Sequence, residues 1–357
     1  MPSRDPLNTS TPHLSPIEAL ADDAAKWITD QISLRYARVL TPFGAHGRFQ
    51  TRQDLRTHVE FLAAAVDVQA PGYFTDYVVW LAGVLKARGV PVQTLTESLQ
   101  LLRQFLAEQL PPALLTVAQQ CLDAGVAVLA GDWQRLAPFY QTRMPEPHPA
   151  VEAFTRCLLA GDTAAARVIL DASTGVGGSA SGYVQIAAHL FQPSLYAVGQ
   201  KWERNEISIA QEHLASAIAQ TLLVELYLKG PFQPPQGRMV LLAGVEHNHH
   251  VIGLRMLADA YELAGLSVQY LGADTPTEAL LAQVDHSRPD LVGLSVSLVQ
   301  QLPTLRRCIA ALHTEFAGRC PVILVGGIPT NRFAGVWRHL GADAWSPDVE
   351  AAVALLT

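Results

Sequence analysis

The C-terminal part of the chain, residues 237–357, alternates short apolar runs rich in β-branched residues with stretches of helical spacing. The apolar runs cover residues 240–243, 267–270, 291–295 and 322–325. Parallel strands that are buried on both faces have this composition, and the helices between them are the usual crossover connections. The alternation therefore predicts a doubly wound parallel sheet, that is, an α/β Rossmann-like domain.

Glycines and polar residues gather where three of these predicted strands end. Residues 248–253 follow the first strand, Ser295 closes the third, and Gly326 and Gly327 close the fourth. Open parallel sheets bind ligands beyond the carboxyl ends of their strands, and a glycine there lets the backbone approach a ligand closely. The sequence therefore predicts a ligand site at this edge of the sheet.

Two proline-rich stretches divide the rest of the chain. Residues 145–149 and 230–237 disfavour both helix and strand, and we expect them to be linkers. The segments that they separate predict a disordered tail over residues 1–14, an all-helical module over residues 15–144 and a four-helix bundle over residues 150–229.

Helical spacing is the evidence for both of these segments. In the first module a helix is marked by a start signal at Thr94 and Glu97, followed by leucines at helical spacing. Those leucines are Leu95, Leu99, Leu102 and Leu106. The second segment has apolar residues three and four positions apart and a glycine-rich break at residues 175–178, which fits a bundle of four short helices.

Composition narrows the classes of protein to which the chain can belong. Of its 357 residues, 49% are hydrophobic and 16% are charged, which supplies apolar cores for two or three domains. The net charge of −7 argues against nucleic acid as a general partner, although a local basic patch stays open. The cysteines lack paired spacing, which argues against a zinc knuckle or a disulfide framework and for a reducing compartment. They are Cys121, Cys157, Cys308 and Cys320.

We expect neither a signal peptide nor a membrane span. The first residues are polar and lack the apolar core of a signal peptide, and no apolar run approaches the length needed to cross a bilayer. These features predict a soluble, cytoplasmic protein with no membrane partner.

A second motif lies upstream, in the predicted helical bundle. Trp202 is followed by nine residues and then by the pair Glu212 and His213. Ser208 and Gln211 form a capping-box pattern, which predicts that one helix ends near residues 204–205 and the next begins at Ser208. From the residues alone, the alternative is that Trp202 is a core residue and the pair an ordinary helix face.

The motif at the strand ends resembles the pattern of cobalamin-binding corrinoid proteins, which is Asp/Glu-x-His-x-x-Gly, then Ser-x-Leu, then Gly-Gly. This chain has Asn248-x-His250-x-x-Gly253, then 41 residues to Ser295-x-Ser297, then 28 residues to the glycine pair Gly326-Gly327. The resemblance implies that His250 is the lower axial ligand of the cobalt and displaces the cofactor's own base. The nucleotide tail would then lie against Ser295, Gly326 and Gly327.

Two residues depart from this family pattern. Asn248 replaces the acid that usually holds the other nitrogen of the ligating imidazole, so we expect the cobalt ligation to survive but to be electronically softer. Ser297 replaces the usual leucine. His247 and His249 lack a glycine three residues later, so neither fits the ligand position. The alternatives for the three histidines are a zinc cluster or a solvated loop.

The spacing of Trp202 from Glu212 and His213 resembles the signature of light sensors of the carotenoid-repressor type, which depend on adenosylcobalamin. The resemblance implies that residues 150–229 cap the upper face of the corrin. Trp202 would pack on the adenosyl group, Glu212 would accept a hydrogen bond from its ribose, and His213 would be a second polar contact. Light would cleave the weak cobalt–carbon bond, and the cap would move.

The residue after the tryptophan differs from that of the repressors. They have a histidine there that takes the vacated cobalt position, whereas this chain has Glu203. The upper cobalt ligand after photolysis therefore stays open between His213 and water.

The N-terminal module does not resemble the winged-helix DNA reader of the repressors, so we expect no direct binding of nucleic acid. Its helices carry an aromatic face, which is Tyr73, Phe74, Tyr77, Trp80, Leu81 and Val84. In architecture the chain resembles photocobilins, which pair cobalamin with biliverdin. That resemblance implies a non-covalent biliverdin site, for which the candidates are Arg52, Arg56, His58, Asp76, Tyr77 and Trp80. The alternatives are helix packing for the aromatic face and a solvated surface for the arginines.

Together the motifs predict a photosensor that binds adenosylcobalamin and biliverdin and has no catalytic residues or turnover of its own. It would signal through a light-dependent homo-oligomer or an unknown protein partner. One alternative is a corrinoid subunit that carries methyl groups for a methyltransferase, and another is a passive cobalamin store or a light-insensitive sensor. Trp202 and Glu212 favour the photosensor, because a methyl carrier has no adenosyl group to cap.

Overall fold

The computed structural model describes residues 15–35, 44–136, 148–173 and 180–356. The predicted N-terminal tail, most of the first linker and the glycine-rich break at residues 175–178 lie outside these ranges. The chain folds into two compact units. Unit 1 comprises the described residues up to Val79 and Pro91–Trp133, and unit 2 comprises Trp80–Val90 together with residues from Gln134 onward.

Unit 1 is all-helical, as the sequence predicts. Its elements are a 3₁₀ turn at Glu18–Leu20, α1 (Ala21–Arg35), α2 (Gly44–Asp67), the first part of α3 (Pro71–Ala87), α4 (Val92–Gln109) and α5 (Pro112–Ala130). The four leucines predicted for α4 are buried, so the spacing argument is confirmed. The start signal at Thr94 was wrong, because α4 begins at Val92 after Pro91 and has no side-chain cap.

One helix of unit 1 contradicts the expectation that no segment is apolar enough for a membrane span. Helix α5 is long and apolar enough, by length and composition, to cross a bilayer. Its glutamines and Asp123 interrupt the apolar run without making the helix polar overall. A single helix of this kind is weak evidence for a membrane, because helices of soluble proteins pass the same test.

The middle of unit 2 forms the predicted four-helix bundle, here called the cap. Its helices are α6 (Val151–Ala160), α7 (Thr163–Ser173), α8 (Ala180–Ile186) continued through a π-helical turn (Ala187–Phe191) into α9 (Gln192–Glu203), and α10 (Ile209–Leu228). The capping box is confirmed. The Ser208 hydroxyl accepts from the Gln211 N–H, and the Gln211 side chain accepts from the Ser208 N–H at 2.9 Å.

The C-terminal part of unit 2 is a parallel sheet of five strands in the order β2-β1-β3-β4-β5. The strands are β1 (Met239–Val245), β2 (Ser267–Thr275), β3 (Leu291–Ser295), β4 (Val322–Gly326) and β5 (Ala344–Ser346). The helices are α11 (Ile252–Leu263), α12 (Thr277–Ser287), α13 (Leu302–Glu315), α14 (Ile328–Arg332), α15 (Val336–His339) and α16 (Val349–Ala354). Four strands match the predictions, whereas the three-residue β5 was missed.

The strand register aligns the ends of the central strands. Gly244 pairs with Ser295, and Ser295 pairs with Gly326. The strand order reverses between β1 and β3, which is the point at which doubly wound sheets form a ligand crevice. The loops after β1 and β3 therefore lie side by side at that crevice.

Within unit 2 the cap and helix α11 share one hydrophobic core, to which α11 contributes Met256, Ala260 and Leu263. A buried polar cluster lies beside this core. The Tyr183 hydroxyl donates to Asp259 at 2.9 Å, and Arg255 pairs with Asp259 at 2.6 Å. Burial raises the pKa of Asp259, while the Arg255 guanidinium opposes that rise. The cluster fixes the first turn of α8 to α11.

Candidate functional site

The loop between β1 and α11, residues 246–251, is fastened to the neighbouring strand end by Asn248. The side chain of Asn248 is fully buried; its amide nitrogen donates to the Ser295 carbonyl at 2.9 Å, and its oxygen accepts from the His250 N–H at 3.2 Å. A buried amide must find partners for its donors and acceptors, and here the main chain supplies them. The amide therefore sets the path of the loop that carries His250. Its predicted effect on the His250 ring stays a prediction.

Two further residues, which were not predicted from the sequence, also hold this loop in place by hydrogen bonds. The carboxamide of buried Gln301 accepts from the N–H of Ser297 at 2.8 Å and donates to the His247 carbonyl at 2.9 Å. The Asp274 carboxylate, at the end of β2, accepts from the N–H of His247 at 2.7 Å. Both are polar residues at or shortly after the end of a strand, and Asn248 was predicted from the same pattern, so this pattern could have indicated them too.

His250 itself projects from this loop with an exposed side chain. Partial desolvation lowers its pKa, and His249 acts in the same direction, whereas Glu212 raises it. A lowered pKa favours the neutral imidazole, which is the form that ligates metals.

The remaining residues of the predicted lower site lie at the ends of the strands and in the first turn of α11. The Ser297 hydroxyl donates to the His250 carbonyl at 3.0 Å, and Ser295 closes β3 level with Gly326. Gly253 lies in the first turn of α11, where an added Cβ would meet no atom within 4 Å. The backbone is thus open to a ligand at that position.

Gly327 is required by packing inside the protein. It has φ 114° and ψ 166°, a region that essentially only glycine adopts, and an added Cβ would lie 1.7 Å from the Val296 carbonyl oxygen. The strand end at β4 therefore needs this glycine whether or not a ligand approaches it.

The predicted upper site lies at the corner between α9 and α10. Trp202 is in the last turn of α9, and Glu212 is in the first turn of α10. Asn205, with φ 59°, makes the turn and donates its N–H to the Trp202 carbonyl at 2.9 Å. Glu212 accepts from the Ser216 hydroxyl at 2.9 Å and lies 3.4 Å from the exposed His213.

These residues fit a cobalamin better than a zinc cluster. Among the described residues, no group of three or more His, Cys, Asp or Glu side chains is arranged to hold a metal ion. A cobalt that is already held by a corrin needs a single protein donor, and His250 presents one imidazole close to the open backbone of Gly253. The residues present therefore fit this cofactor.

The candidates for biliverdin do not share one environment. In unit 1, His58 and Tyr77 are buried and hydrogen-bonded at 2.7 Å, and Tyr77 stacks on Phe61 with ring centroids 3.9 Å apart. Burial lowers the pKa of His58 to about 4. This pair packs as part of the helical core.

The other candidates lie at or near the surface. Arg56 pairs with Glu60 at 3.0 Å, Arg52 is exposed, and Asp76 is half-buried. Trp80 belongs to unit 2 and donates its indole N–H to Glu203 at 2.8 Å. Their role in binding a bilin stays a prediction.

Two family models match the parts of unit 2 described above. Residues 238–356 match a model described as "B12 binding domain", and residues 150–227 match a second model with the same description. These matches support cobalamin binding by the sheet domain and the cap.

The chain is similar to several curated proteins. It is 31% identical over 153 residues to the HTH-type transcriptional repressor CarH of Myxococcus xanthus, which is 43% of this chain and 50% of the relative. It is 40% identical over 90 residues to the HTH-type transcriptional repressor CarA of the same organism, covering 25% of this chain and 31% of the relative. It is 27% identical over 162 residues to Dimethylamine corrinoid protein 1 of Methanosarcina acetivorans, covering 44% of this chain and 74% of the relative.

The chain thus spans half or less of the length of the two repressors that it matches. Among solved structures, the monomethylamine corrinoid protein of Methanosarcina barkeri is 19% identical with a TM-score of 0.48, and the match covers 57% of this chain and 94% of that one.

Replacing Gly327 with alanine is expected to lower the free energy of unfolding by more than about 3 kcal/mol, because the new Cβ meets the Val296 carbonyl in a strained backbone region. Gly318→Ala is the matched control: it has φ +80° but nothing within 4 Å of an added Cβ, so about 1 kcal/mol is expected. Urea denaturation of the ligand-free chain compares the two. Equal losses would contradict the steric account.

Proposed function

We propose that the chain is a light sensor that binds adenosylcobalamin between the cap and the loop that carries His250. One observation carries the proposal: a single corner, between α9 and α10, holds both Trp202 and Glu212, in the same unit as the loop that carries His250. The family matches support cobalamin, and the similarity to repressor CarH supports the adenosyl form.

The residues have separate roles in this proposal. His250 would hold the cobalt, while Ser295, Gly326 and Gly327 would border the nucleotide tail. Trp202 would pack on the adenosyl group, and Glu212 and His213 would contact its polar edge. When bound, the cofactor supplies a cobalt–carbon bond that is weak and absorbs visible light. Without an adenosyl group, Trp202 would lack this packing partner, and the cap would shift to a second arrangement.

The second candidate function is a corrinoid subunit that carries methyl groups. It is favoured by the similarity to Dimethylamine corrinoid protein 1, of which 74% is covered. A methyl group is too small to fill the space that Trp202 and Glu212 would enclose around an adenosyl group. We therefore prefer the light sensor.

The output of the proposed sensor differs from that of the two repressors. Their names indicate direct transcriptional control, but they are matched over half of their length or less. The net charge of −7 disfavours a nucleic-acid partner. We propose a cytoplasmic protein without catalytic turnover that signals through a change of oligomer or through a partner protein.

Biliverdin is proposed as a second, non-covalent ligand of the helical module. The support is the aromatic cluster of unit 1, in which a buried neutral imidazole and a phenol lie beside Phe61. Adding biliverdin to the purified chain should produce a red-absorbing band that weakens in Tyr77→Phe. If no such band forms, this part of the proposal is withdrawn and the aromatic face is ordinary packing.

Replacing His250 with alanine is expected to weaken cobalamin binding by about tenfold or more, because the cobalt loses its protein ligand. The visible spectrum should then match cobalamin with its own base bound. His249→Ala is the matched control and should keep both affinity and spectrum. Full affinity in His250→Ala would refute the ligand assignment.

Green light should change both the absorbance spectrum and the elution volume on size exclusion of the chain loaded with adenosylcobalamin in the dark. The spectral change reports loss of the adenosyl group, and the elution change reports the rearranged cap. In Trp202→Ala the change in elution volume should be smaller, since the cap has lost its contact with that group. An unchanged spectrum and elution volume would rule out the photosensor.

A further inference from the structure

Residues 80–90, which belong to unit 2, contact the end of cap helix α9. The guanidinium of Arg88 lies over the Trp202 ring, 5.0 Å from the ring centroid. The same side chain donates to the Glu203 carbonyl at 3.1 Å and to the Trp202 carbonyl at 3.3 Å. One arginine therefore contacts both the ring and the main chain of the tryptophan.

The chemistry of this contact suits arginine. The last carbonyls of a helix lack partners within the helix and carry its negative dipole end, so a cation that donates hydrogen bonds stabilises them. A guanidinium also stacks on the face of an indole, and its planar fork of donors can do both at once. A lysine at this position could supply the charge but not the stacked plane.

A second contact holds the same turn from the neighbouring residue. Trp80 donates its indole N–H to a carboxylate oxygen of Glu203 at 2.8 Å, in a partly buried setting. Glu203 follows Trp202 directly, so fixing its side chain limits the rotation of the last turn of α9. Arg88 thus contacts Trp202 directly, and Trp80 holds the residue that follows it.

We propose that Arg88, assisted by Trp80, is a positioning residue for Trp202 and sets the preference of the upper site for an adenosyl over a methyl ligand on cobalt. The inference rests on the proposed function, because it takes Trp202 as the residue that packs on the adenosyl group. Arg88 acts through Trp202 and does not itself contact the ligand. Ligand preference at the upper site then depends on residues outside the cap as well as on those within it.

The test measures dark dissociation constants for adenosylcobalamin and methylcobalamin with Arg88→Met and the control Lys86→Met. Both variants remove one positive charge from the segment of residues 80–90, but Lys86 bonds to Gln134 instead of α9. Arg88→Met should weaken adenosylcobalamin binding about three- to fivefold and leave methylcobalamin unchanged, as expected for a lost cation–π contact. Lys86→Met should change neither, and Arg88→Lys should retain only part of the preference.

A double-mutant cycle assigns the effect to the tryptophan. In a Trp202→Ala background, Arg88→Met should have no further effect on adenosylcobalamin affinity. A cofactor-free readout is amide hydrogen exchange in the ligand-free chain, in which residues 202–206 should exchange faster in Arg88→Met but not in Lys86→Met.

The outcomes separate this inference from the proposed function. Equal weakening of both cobalamins, or an effect that persists without Trp202, would overturn the role of Arg88 alone. Unaltered hydrogen exchange would likewise overturn it. If the unmodified chain fails to bind adenosylcobalamin, the proposed function fails and the inference fails with it.

Discussion

The hydrogen bond from buried Asn248 to the Ser295 carbonyl holds the loop that carries His250 against the end of the neighbouring strand, and the candidate site depends on that contact. It joins the loop after β1 to the end of β3, at the point where the strand order reverses. The same amide accepts from the N–H of His250 and so directs the residue proposed to ligate cobalt. Without the Asn248 side chain, main-chain groups at this strand end would lose their partners, which is costly in the interior.

The cap depends on the same loop through helix α11, which begins two residues after His250. The apolar face of α11 enters the cap core, and its Arg255 and Asp259 join the buried cluster with Tyr183. A rearrangement at the ligand loop and one at the cap therefore share a rigid element. This is the physical basis on which a change above the corrin could reach the whole unit.

Much of the fold could be predicted from the sequence, because burial on both faces imposes β-branched runs on parallel strands. β3 was predicted to the residue, and β5 was missed because three residues carry no periodicity. The capping box at Ser208 is local and was recognised, whereas the cap at Thr94 was not real because the preceding proline already starts that helix.

The candidate site was less predictable, because the hydrogen bonds that hold it together join residues distant in sequence. Asn248 was predicted to contact the His250 imidazole, but its side chain forms hydrogen bonds with main-chain groups. Gln301 and Asp274 resemble ordinary loop residues until the strand ends are brought together. The contact between Trp80 and Glu203 spans 123 residues, and no pattern of spacing could indicate it.

The central claim is that a protein histidine, His250, holds the cobalt from below. Electron paramagnetic resonance of the chain loaded with cobalamin and reduced to cobalt(II) tests it directly. We expect hyperfine splitting from one axial nitrogen that changes when only histidine is isotopically labelled and that reverts to the pattern of the cofactor's own base in His250→Ala. Splitting that is insensitive to the histidine label would contradict the claim.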